Sequence, residues 1–313
     1  MRKRRLGNTE IEVSELSLGT WGLSGDGYGP VAEAEVDRVI DRALELGVDL
    51  FDTADVYGNG AMERRLGARL PRDTTYVVTK IGTDVASTPP RKRFDLDHLR
   101  PAFERSRERL GRDRIDVVLL HNPTEQAMGE IEAVHFLEEL KRLGALRAWG
   151  VSAGSAEVAR SALALGADVI ELPYNVFHAG DLHAIAGDVA EAGAAVLARS
   201  VLAHGLLSGY WSKEREFDPG DHRRDRWTQP ELGRRLGQLD ALRPLVTGPV
   251  LSLRSAALRF VLSNQLVTSA VLGPRSVAQL DQLVREAGEG PPYLRDTALA
   301  ELSARLHGVG VGT

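Results

Sequence analysis

The chain has 313 residues, 43% of them hydrophobic and 27% charged, an ordinary balance for a globular protein. A net charge of -5 argues against a general nucleic-acid binder, and the lack of cysteine excludes disulfides and thiolate metal sites. The basic N-terminus is followed by no apolar signal segment, and no apolar run approaches the roughly 20 residues needed to span a bilayer. We therefore predict a soluble cytoplasmic protein with no membrane or nucleic-acid partner.

The predicted elements begin with an N-terminal β-hairpin at residues 2–13, which turns at Gly7-Asn8 and is expected to close one end of the fold. Short apolar runs then alternate with amphipathic stretches, several of which end in the Leu-Gly pair typical of a helix C-terminus. The predicted strands are residues 15–18, 48–51, 76–80, 115–120, 146–151, 169–172, 195–198 and 267–272. The predicted helices are residues 32–46, 62–70, 96–110, 131–143, 156–163, 183–192, 251–262 and 277–287.

Eight strands alternating with eight helices predict an α/β fold with a parallel sheet. Closure into a (β/α)8 TIM barrel removes the sheet edges, and an open doubly wound sheet is the alternative. Two segments lie outside the repeat: an insertion after strand seven, residues 205–248 with a helical run at 230–245, and a final helix at 293–307. No linker is evident, so residues 1–313 are predicted to form a single domain.

Four polar residues mark the ends of three successive predicted strands. Asp52 and Tyr57 follow strand two, Lys80 ends strand three and His121 follows strand four. Active sites of such barrels lie at the C-terminal strand ends. Taken singly, each residue has an ordinary structural explanation, such as a turn cap or core packing. Together they predict an active site in which Lys80 lowers the pKa of the Tyr57 phenol, Asp52 balances Lys80, and His121 donates a hydrogen bond to a substrate oxygen.

These residues lie in segments that resemble the aldo-keto reductase family. The run Phe-Asp-Thr-Ala-Asp-Val-Tyr-Gly at residues 51–58, with Glu63 and Leu66-Gly67 after it, looks like the family signature. The segments at residues 16–21, 79–80, 119–121, 150–152 and 173–175 are similar to its other strand segments, so the resemblance covers nearly the whole chain. It implies an NAD(P)(H)-dependent oxidoreductase that interconverts aldehydes, ketones or aldoses and alcohols by direct hydride transfer.

The resemblance also implies the site roles. Tyr57 would be the general acid, Lys80 and Asp52 would tune it, and His121 would orient the carbonyl. Ser152 would bind the nicotinamide carboxamide, and Arg275 and Ser276 the adenosine 2′-phosphate, which favours NADPH with NADH as the alternative. The residues implied at the dinucleotide are Gly19, Thr20, Ser152, Glu171, Arg199, Ser200, Leu202, Gly205, Leu207, Gly273, Arg275, Ser276 and Gln279. No metal site is predicted.

Three positions depart from the family pattern. Ala153 replaces the usual Asn, Glu171 the usual Gln and Leu283 the usual Asn near the adenine. The usual stacking aromatic is not evident at Arg199-Ser200. A carboxylate at Glu171 accepts hydrogen bonds but donates none unless it is protonated. These departures favour weaker cofactor binding or a shift towards NADH, and they keep open a non-catalytic or weakly catalytic dinucleotide-binding barrel.

Four aromatic residues are candidate walls of a pocket for a small carbonyl or sugar substrate: Trp21, Tyr210, Trp211 and Trp227. Loop anchoring is the alternative explanation for them. The basic group Arg223, Arg224 and Arg226 is interpreted as a solvated loop, with an anion clamp as the alternative. Neither monomer nor homo-oligomer is favoured by the sequence.

A second motif points to a different enzyme class. Residues 150–154 match the G-x-S-x-G pattern of a serine nucleophile between a strand and a helix. A serine hydrolase would use Ser152 with a late histidine such as His204, His222 or His307. The Asp, Tyr, Lys and His at the earlier strand ends have no role in such an enzyme, so it is a remote alternative.

Overall fold

The computed structural model describes residues 1–312, and at its centre eight parallel strands form a closed barrel. The strands follow one another around the barrel in chain order, and the last pairs with the first. The first to eighth barrel strands are Leu16–Gly19, Leu50–Asp52, Tyr76–Ile81, Ile115–His121, Leu146–Ser152, Val169–Pro173, Ala195–Arg199 and Val267–Leu272. Closure confirms the predicted TIM barrel over the open sheet, and each strand agrees with its predicted run to within two residues at either end.

Helices cover the outside of the barrel because each has one apolar face. The first, Glu33–Glu45, buries Val36, Val39, Ile40 and Ala43, whose spacing of three or four residues places them on one side. The other α-helices are Ala61–Arg69, Leu96–Leu110, Glu125–Gly129, Glu132–Arg142, Ala156–Ala164, Gly180–Ala184, Ala186–Ala192, Gln229–Gln238, Leu253–Ser263, Val277–Ala287 and Asp296–Gly308. The 3₁₀ helices are Trp21–Leu23, Ala203–Ser208, His222–Asp225 and Leu239–Leu245. Within residues 1–312, none of these helices has the length and apolar character needed to cross a membrane.

Two predicted helices differ from the observed ones. The helix predicted at 183–192 is two helices that meet at Ile185, whose backbone leaves the helical region (φ -111°, ψ 11°) while its side chain is fully buried. The helical run predicted at 230–245 becomes a 3₁₀ helix from Leu239 onwards. Pro244 lies in this second part, and proline lacks the N–H and leaves no room for the preceding carbonyl of an α-helix.

The N-terminal hairpin closes the bottom of the barrel, as predicted. Its strands Lys3–Arg5 and Glu12–Ser14 pair antiparallel, and Leu6, Ile11 and Val13 pack against the lower interior residues of the barrel. Gly7 turns the hairpin with a positive φ of 58°, and a Cβ there would lie 2.7 Å from the backbone nitrogen of Ala195. The hairpin therefore leaves only the opposite, C-terminal end of the barrel open.

The alternation of side chains along each strand places polar groups at that open end. Residues two apart point to the same face of a strand. Five interior apolar residues are each followed, two positions later, by a polar one that is nearer the C-terminal end of the strand. The pairs are Leu50 and Asp52, Val78 and Lys80, Leu119 and His121, Val169 and Glu171, and Leu197 and Arg199.

Candidate active site

Lys80 is the centre of a buried ion network at the barrel mouth. Its Nζ atom donates to Oδ2 of Asp52 at 2.5 Å and to the carbonyl oxygen of Thr53 at 3.1 Å. Oε2 of Glu171 lies 3.2 Å from the same nitrogen. Lys80 and Glu171 are each 1% exposed and Asp52 is 5% exposed, so this ammonium contacts two carboxyl groups away from water.

Tyr57 and His121 lie over this network. The turn after strand two is tied to strand three, because the Asp55 N–H donates to the Lys80 carbonyl at 3.0 Å, and it carries Tyr57 back over the mouth. The Lys80 nitrogen is 5.4 Å from the centre of the Tyr57 ring. The rings of Tyr57 and His121 meet edge to face with centroids 6.1 Å apart. The structure therefore brings together the four residues that the sequence singled out.

The electrostatics of Tyr57 differ from the sequence-based prediction. Burial raises the pKa of its phenol above the usual value, and Asp52 and Glu171 raise it further, while Lys80 opposes them. The ammonium acts in the predicted direction, but burial and two carboxylates outweigh it. The pKa of Lys80 is raised: burial lowers it, but Asp52 and Glu171 more than compensate. Lys80 is therefore a permanent cation in this site.

His121 is neutral in this environment. Burial lowers its pKa well below the usual value, and the nearby Lys92 and Lys80 ammonium groups lower it further. Its Nδ1 atom is buried and makes no hydrogen bond within the described chain. A neutral imidazole keeps one N–H donor, which suits it to bind a carbonyl oxygen.

Glu171 joins Lys80 to the residues expected at the nicotinamide. Ser152 donates its hydroxyl to Oε1 of Glu171 at 3.0 Å, and Nε of Arg199 lies 3.5 Å from that oxygen. Burial raises the pKa of Glu171, but Lys80 and Arg199 outweigh it and hold that pKa below its usual value. Burial and Glu171 together raise the pKa of Asp52, with Lys80 opposing them. The sequence placed Glu171 at the cofactor, as a departure from the family pattern, but gave no indication of its contact with Lys80.

The loop after strand seven, residues 200–209, has a strained backbone at the mouth. Ser200, Ala203 and His204 have φ values of 54°, 46° and 59°, which residues other than glycine rarely adopt. Asn175 holds the loop by donating to the Ser200 carbonyl at 2.9 Å. This segment contains four residues implied at the cofactor: Ser200, Leu202, Gly205 and Leu207.

The residues expected at the adenosine end surround the start of the helix Val277–Ala287. Ser276 caps this helix by accepting from the Gln279 N–H at 3.2 Å, and the Gln279 side chain accepts from the Arg275 N–H at 2.9 Å. The Arg275 guanidinium donates to the carbonyls of Gly29 and Pro30 at 2.9 and 3.0 Å. It is therefore held in a fixed position.

The remaining residues implied at the cofactor lie on either side of this region. Gly273 directly follows strand eight, and Leu283 is buried in the helix after it. Gly19 ends strand one, where a Cβ would lie 2.7 Å from Cγ1 of Val271. Thr20 follows it and donates its hydroxyl to the Asp52 carbonyl at 3.0 Å. This hydrogen bond links the end of strand one to strand two at the mouth.

Three of the four predicted pocket aromatics belong to one cluster that joins the insertion to the loop after strand one. Trp21 packs against Tyr28 and His222, with centroids 5.0 and 4.8 Å away, and Trp211 and Trp227 are 5.7 Å apart. His204 connects them, lying 6.5 Å from Trp21 and 6.4 Å from Trp227.

Tyr210 is not in the aromatic cluster. It is 71% exposed, and its hydroxyl accepts a hydrogen bond from Arg254 at 3.3 Å. In the basic group, Arg223 pairs with Asp221 at 2.5 Å and lies 4.8 Å from the centre of the Tyr28 ring, so it fixes the insertion. Arg224 and Arg226 are exposed, as predicted for a solvated loop.

Comparison with known proteins identifies the family. Residues 15–288 match the model of the Aldo/keto reductase family. The chain is 29% identical to the NADH-specific methylglyoxal reductase of Escherichia coli strain K12, over 91% of this chain and 93% of that protein. It is 30% identical to the D-threo-aldose 1-dehydrogenase of Pseudomonas sp, over 82% and 84% respectively. Among solved structures, the glycerol dehydrogenase of Gluconobacter oxydans superposes with a TM-score of 0.86 at 26% identity, covering 99% of this chain and 97% of that one.

The chain belongs to the aldo/keto reductase family. It is an NAD(P)-dependent oxidoreductase of that family, which confirms the resemblance, the barrel fold and the enzyme class predicted from the sequence. The serine hydrolase alternative finds no support in the geometry, because the Ser152 hydroxyl donates to Glu171, whose pKa is held below its usual value. Such a carboxylate is a weak base, whereas a serine nucleophile needs a base that takes up its proton.

Proposed function

We propose that the protein interconverts small carbonyl compounds, including aldoses, and alcohols, with Tyr57 as general acid, Lys80 and Asp52 as its tuning pair, and His121 as the residue that orients the carbonyl. One observation carries this proposal: the 2.5 Å contact between Lys80 and Asp52 lies directly beneath the Tyr57 ring, with His121 opposite. A bound dinucleotide would supply or accept the hydride.

The chemistry follows from the environment of each residue. The raised pKa keeps Tyr57 protonated near neutral pH, which is the state that a proton donor needs. An alkoxide that develops on the substrate is a stronger base than phenolate, so the proton moves to it, and Lys80 stabilises the phenolate that remains. The neutral His121 holds the carbonyl oxygen without competing to give up a proton.

The residues at the mouth fit a nicotinamide dinucleotide. Oε2 of Glu171 and Nε of Arg199 are buried without a hydrogen-bond partner in the described chain, and Ser152 and Glu171 both offer oxygens to a carboxamide NH2 group. We propose NADPH as the preferred form because the fixed Arg275 guanidinium suits a phosphate. The similarity to an NADH-specific reductase makes NADH the alternative.

The substrate class is proposed from the pocket and the relatives. Trp21 and Trp227, joined through His204, provide apolar faces suited to small carbonyl compounds and sugar rings. Two relatives act, by their names, on methylglyoxal and on D-threo-aldoses.

We further propose that residues 1–313 form one domain.

The test is a fluorescence titration with NADPH and NADH, followed by a panel of aldehydes, ketones and aldoses assayed in both directions. We expect saturable quenching and turnover of at least one class. Quenching without any turnover would favour the non-catalytic dinucleotide-binding barrel, and the absence of quenching would contradict the proposed function.

A further inference from the structure

Glu171 has a contact set that a neutral side chain could not form in the same way. Its two oxygens lie within 3.5 Å of three different groups: the Ser152 hydroxyl, the Arg199 guanidinium and the Lys80 ammonium. The side chain is 2% exposed, and the two cations hold it in the charged form. A fixed negative charge therefore lies inside the barrel mouth.

The nearby positive charges do not fully cancel this one. Lys80 is shared with Asp52, which lies closer to it, at 2.5 Å. Arg199 is 3.5 Å from Glu171, and its side chain is 28% exposed, so solvent screens it more than it screens Glu171. The buried part of the site thus has two carboxyl groups and one ammonium, and Glu171 is the carboxyl group whose pKa is lowered.

A substrate that reaches Tyr57 would bring the nicotinamide ring near this charge. Hydride transfer requires the reacting carbons to approach to about 3–3.5 Å. The carbonyl oxygen must at the same time reach the Tyr57 hydroxyl, and Tyr57 packs over Lys80. A bound nicotinamide ring would therefore lie at the mouth beside the network that contains Glu171.

The two redox forms of the ring differ by one charge. The oxidised nicotinamide is a cation and the reduced one is neutral, so a buried carboxylate attracts only the oxidised form. We propose that Glu171 makes this site bind oxidised dinucleotide in preference to reduced dinucleotide, an inference that rests on the proposed function. Glu171 thereby sets the redox preference of the cofactor site.

Preferential binding of the oxidised form loads the free enzyme with the dinucleotide that the oxidation of an alcohol or aldose consumes. In that direction the C–H bond of the alcohol carbon breaks and its hydrogen leaves with both electrons for the dinucleotide. The alcohol hydroxyl loses its proton to solvent. One alcohol and one NAD(P)⁺ thus give one carbonyl compound, one NAD(P)H and one proton.

The test compares dissociation constants rather than turnover. NADP⁺ and NADPH, and likewise NAD⁺ and NADH, are titrated by calorimetry into the wild type and Glu171→Gln. We expect the ratio Kd(oxidised)/Kd(reduced) to rise about tenfold in the variant, through weaker binding of the oxidised form. Glu171→Asp, which keeps the charge, should retain most of the wild-type preference.

Two further variants sharpen the test. Asp168→Asn removes a carboxylate that pairs with Lys141 directly before strand six begins, and it should leave the ratio unchanged. The double variant Asp52→Asn/Glu171→Gln prevents Asp52 from losing a proton and replacing the missing charge. Its ratio should shift at least as far as that of Glu171→Gln.

The outcomes separate this inference from the proposed function. Binding of both redox forms with an unchanged ratio in Glu171→Gln and in the double variant overturns the role of Glu171 and leaves the proposed function standing. A wild-type protein that binds neither form refutes both. Circular dichroism of each variant shows whether a change in the ratio is measured on folded protein.

Discussion

Glu171 lies 3.2 Å from the Lys80 ammonium although the two residues belong to the sixth and third strands, which are not neighbours in the barrel. The contact therefore spans the interior of the barrel mouth, whereas Asp52 reaches Lys80 from the adjacent strand. Lys80 is held from two sides. Its charge and position beneath Tyr57 are thus fixed before any ligand arrives, which is the preorganisation that transition-state stabilisation requires.

Replacement of Tyr57 by Phe removes the proposed proton donor while keeping the ring that packs against His121. We expect kcat to fall by roughly 10²–10⁴-fold, the usual contribution of a general acid. The dissociation constant for the dinucleotide should stay near the wild-type value, because the proposed cofactor contacts are unchanged. Stopped-flow turnover and fluorescence titration measure the two effects, and unchanged turnover would show that another group donates the proton.

Replacement of Lys80 by Met should destabilise the fold as well as abolish activity. It leaves Asp52 and Glu171 buried beside each other without their shared cation, and breaking a buried ion pair costs about 3–5 kcal/mol. The free energy of unfolding is measured by urea denaturation. The matched control is Lys141→Met, which removes a half-exposed partner of Asp168 and should cost about 1 kcal/mol or less. Equal losses in the two variants would contradict the proposed network.

The sequence predicted the barrel and the four catalytic candidates because those signals are local. Each strand is a short apolar run, and Asp52, Lys80 and His121 lie at the ends of successive strands. The contact between Glu171 and Lys80 had no local signal, because it depends on which side chains face the interior of a closed barrel. Side chains alternate along a strand, so the inward direction of Glu171 follows only once an interior residue such as Val169 is known.

Loop conformations were also beyond the sequence. The pairing of Thr83–Asp84 with Arg91–Lys92 involves strands of only two residues, too short to show a period. The short helix Glu125–Gly129 is likewise a single turn or so, and the left-handed backbone at Ser200 is not marked by a glycine. The sequence does not distinguish Tyr210, which is exposed, from its neighbour Trp211, which packs in the aromatic cluster.

Arg275 should control the choice between NADPH and NADH. Replacement by Ala removes a guanidinium that is held by the Gly29 and Pro30 carbonyls. We expect the ratio Kd(NADPH)/Kd(NADH) to rise about tenfold, since a charge-assisted contact to phosphate is worth roughly 1.4 kcal/mol or more. The control is Arg285→Ala, an exposed arginine of the following helix. A ratio that is equal in both variants would favour NADH as the native cofactor.

Ser152 should not react with a fluorophosphonate. Ser152 is 2% exposed and its hydroxyl donates to Glu171, whose lowered pKa makes it a weak base for activating a nucleophile. Mass spectrometry of the treated protein is expected to show the unmodified mass, with a known serine hydrolase labelled in parallel. Stoichiometric labelling that disappears in Ser152→Ala would revive the hydrolase alternative.

Asp55 should make stability depend on pH. Burial, and then the neighbouring Glu63, raise its pKa from 3.8 to about 7, with Arg109 opposing them. A carboxyl group whose pKa is raised on folding stabilises the folded state below the unfolded-state pKa, and this stabilisation is lost as the pH rises through the folded-state pKa. The wild type should therefore lose up to roughly 4 kcal/mol between pH 4 and pH 8 relative to Asp55→Asn.

The free energy of unfolding of both proteins is measured by urea denaturation across this range. The difference between them isolates Asp55, because the other titrating groups are common to both. The exposed Asp240→Asn variant serves as the control and should follow the wild type at every pH. Parallel pH profiles for the wild type and Asp55→Asn would show that Asp55 is as free to ionise in the folded protein as in the unfolded chain.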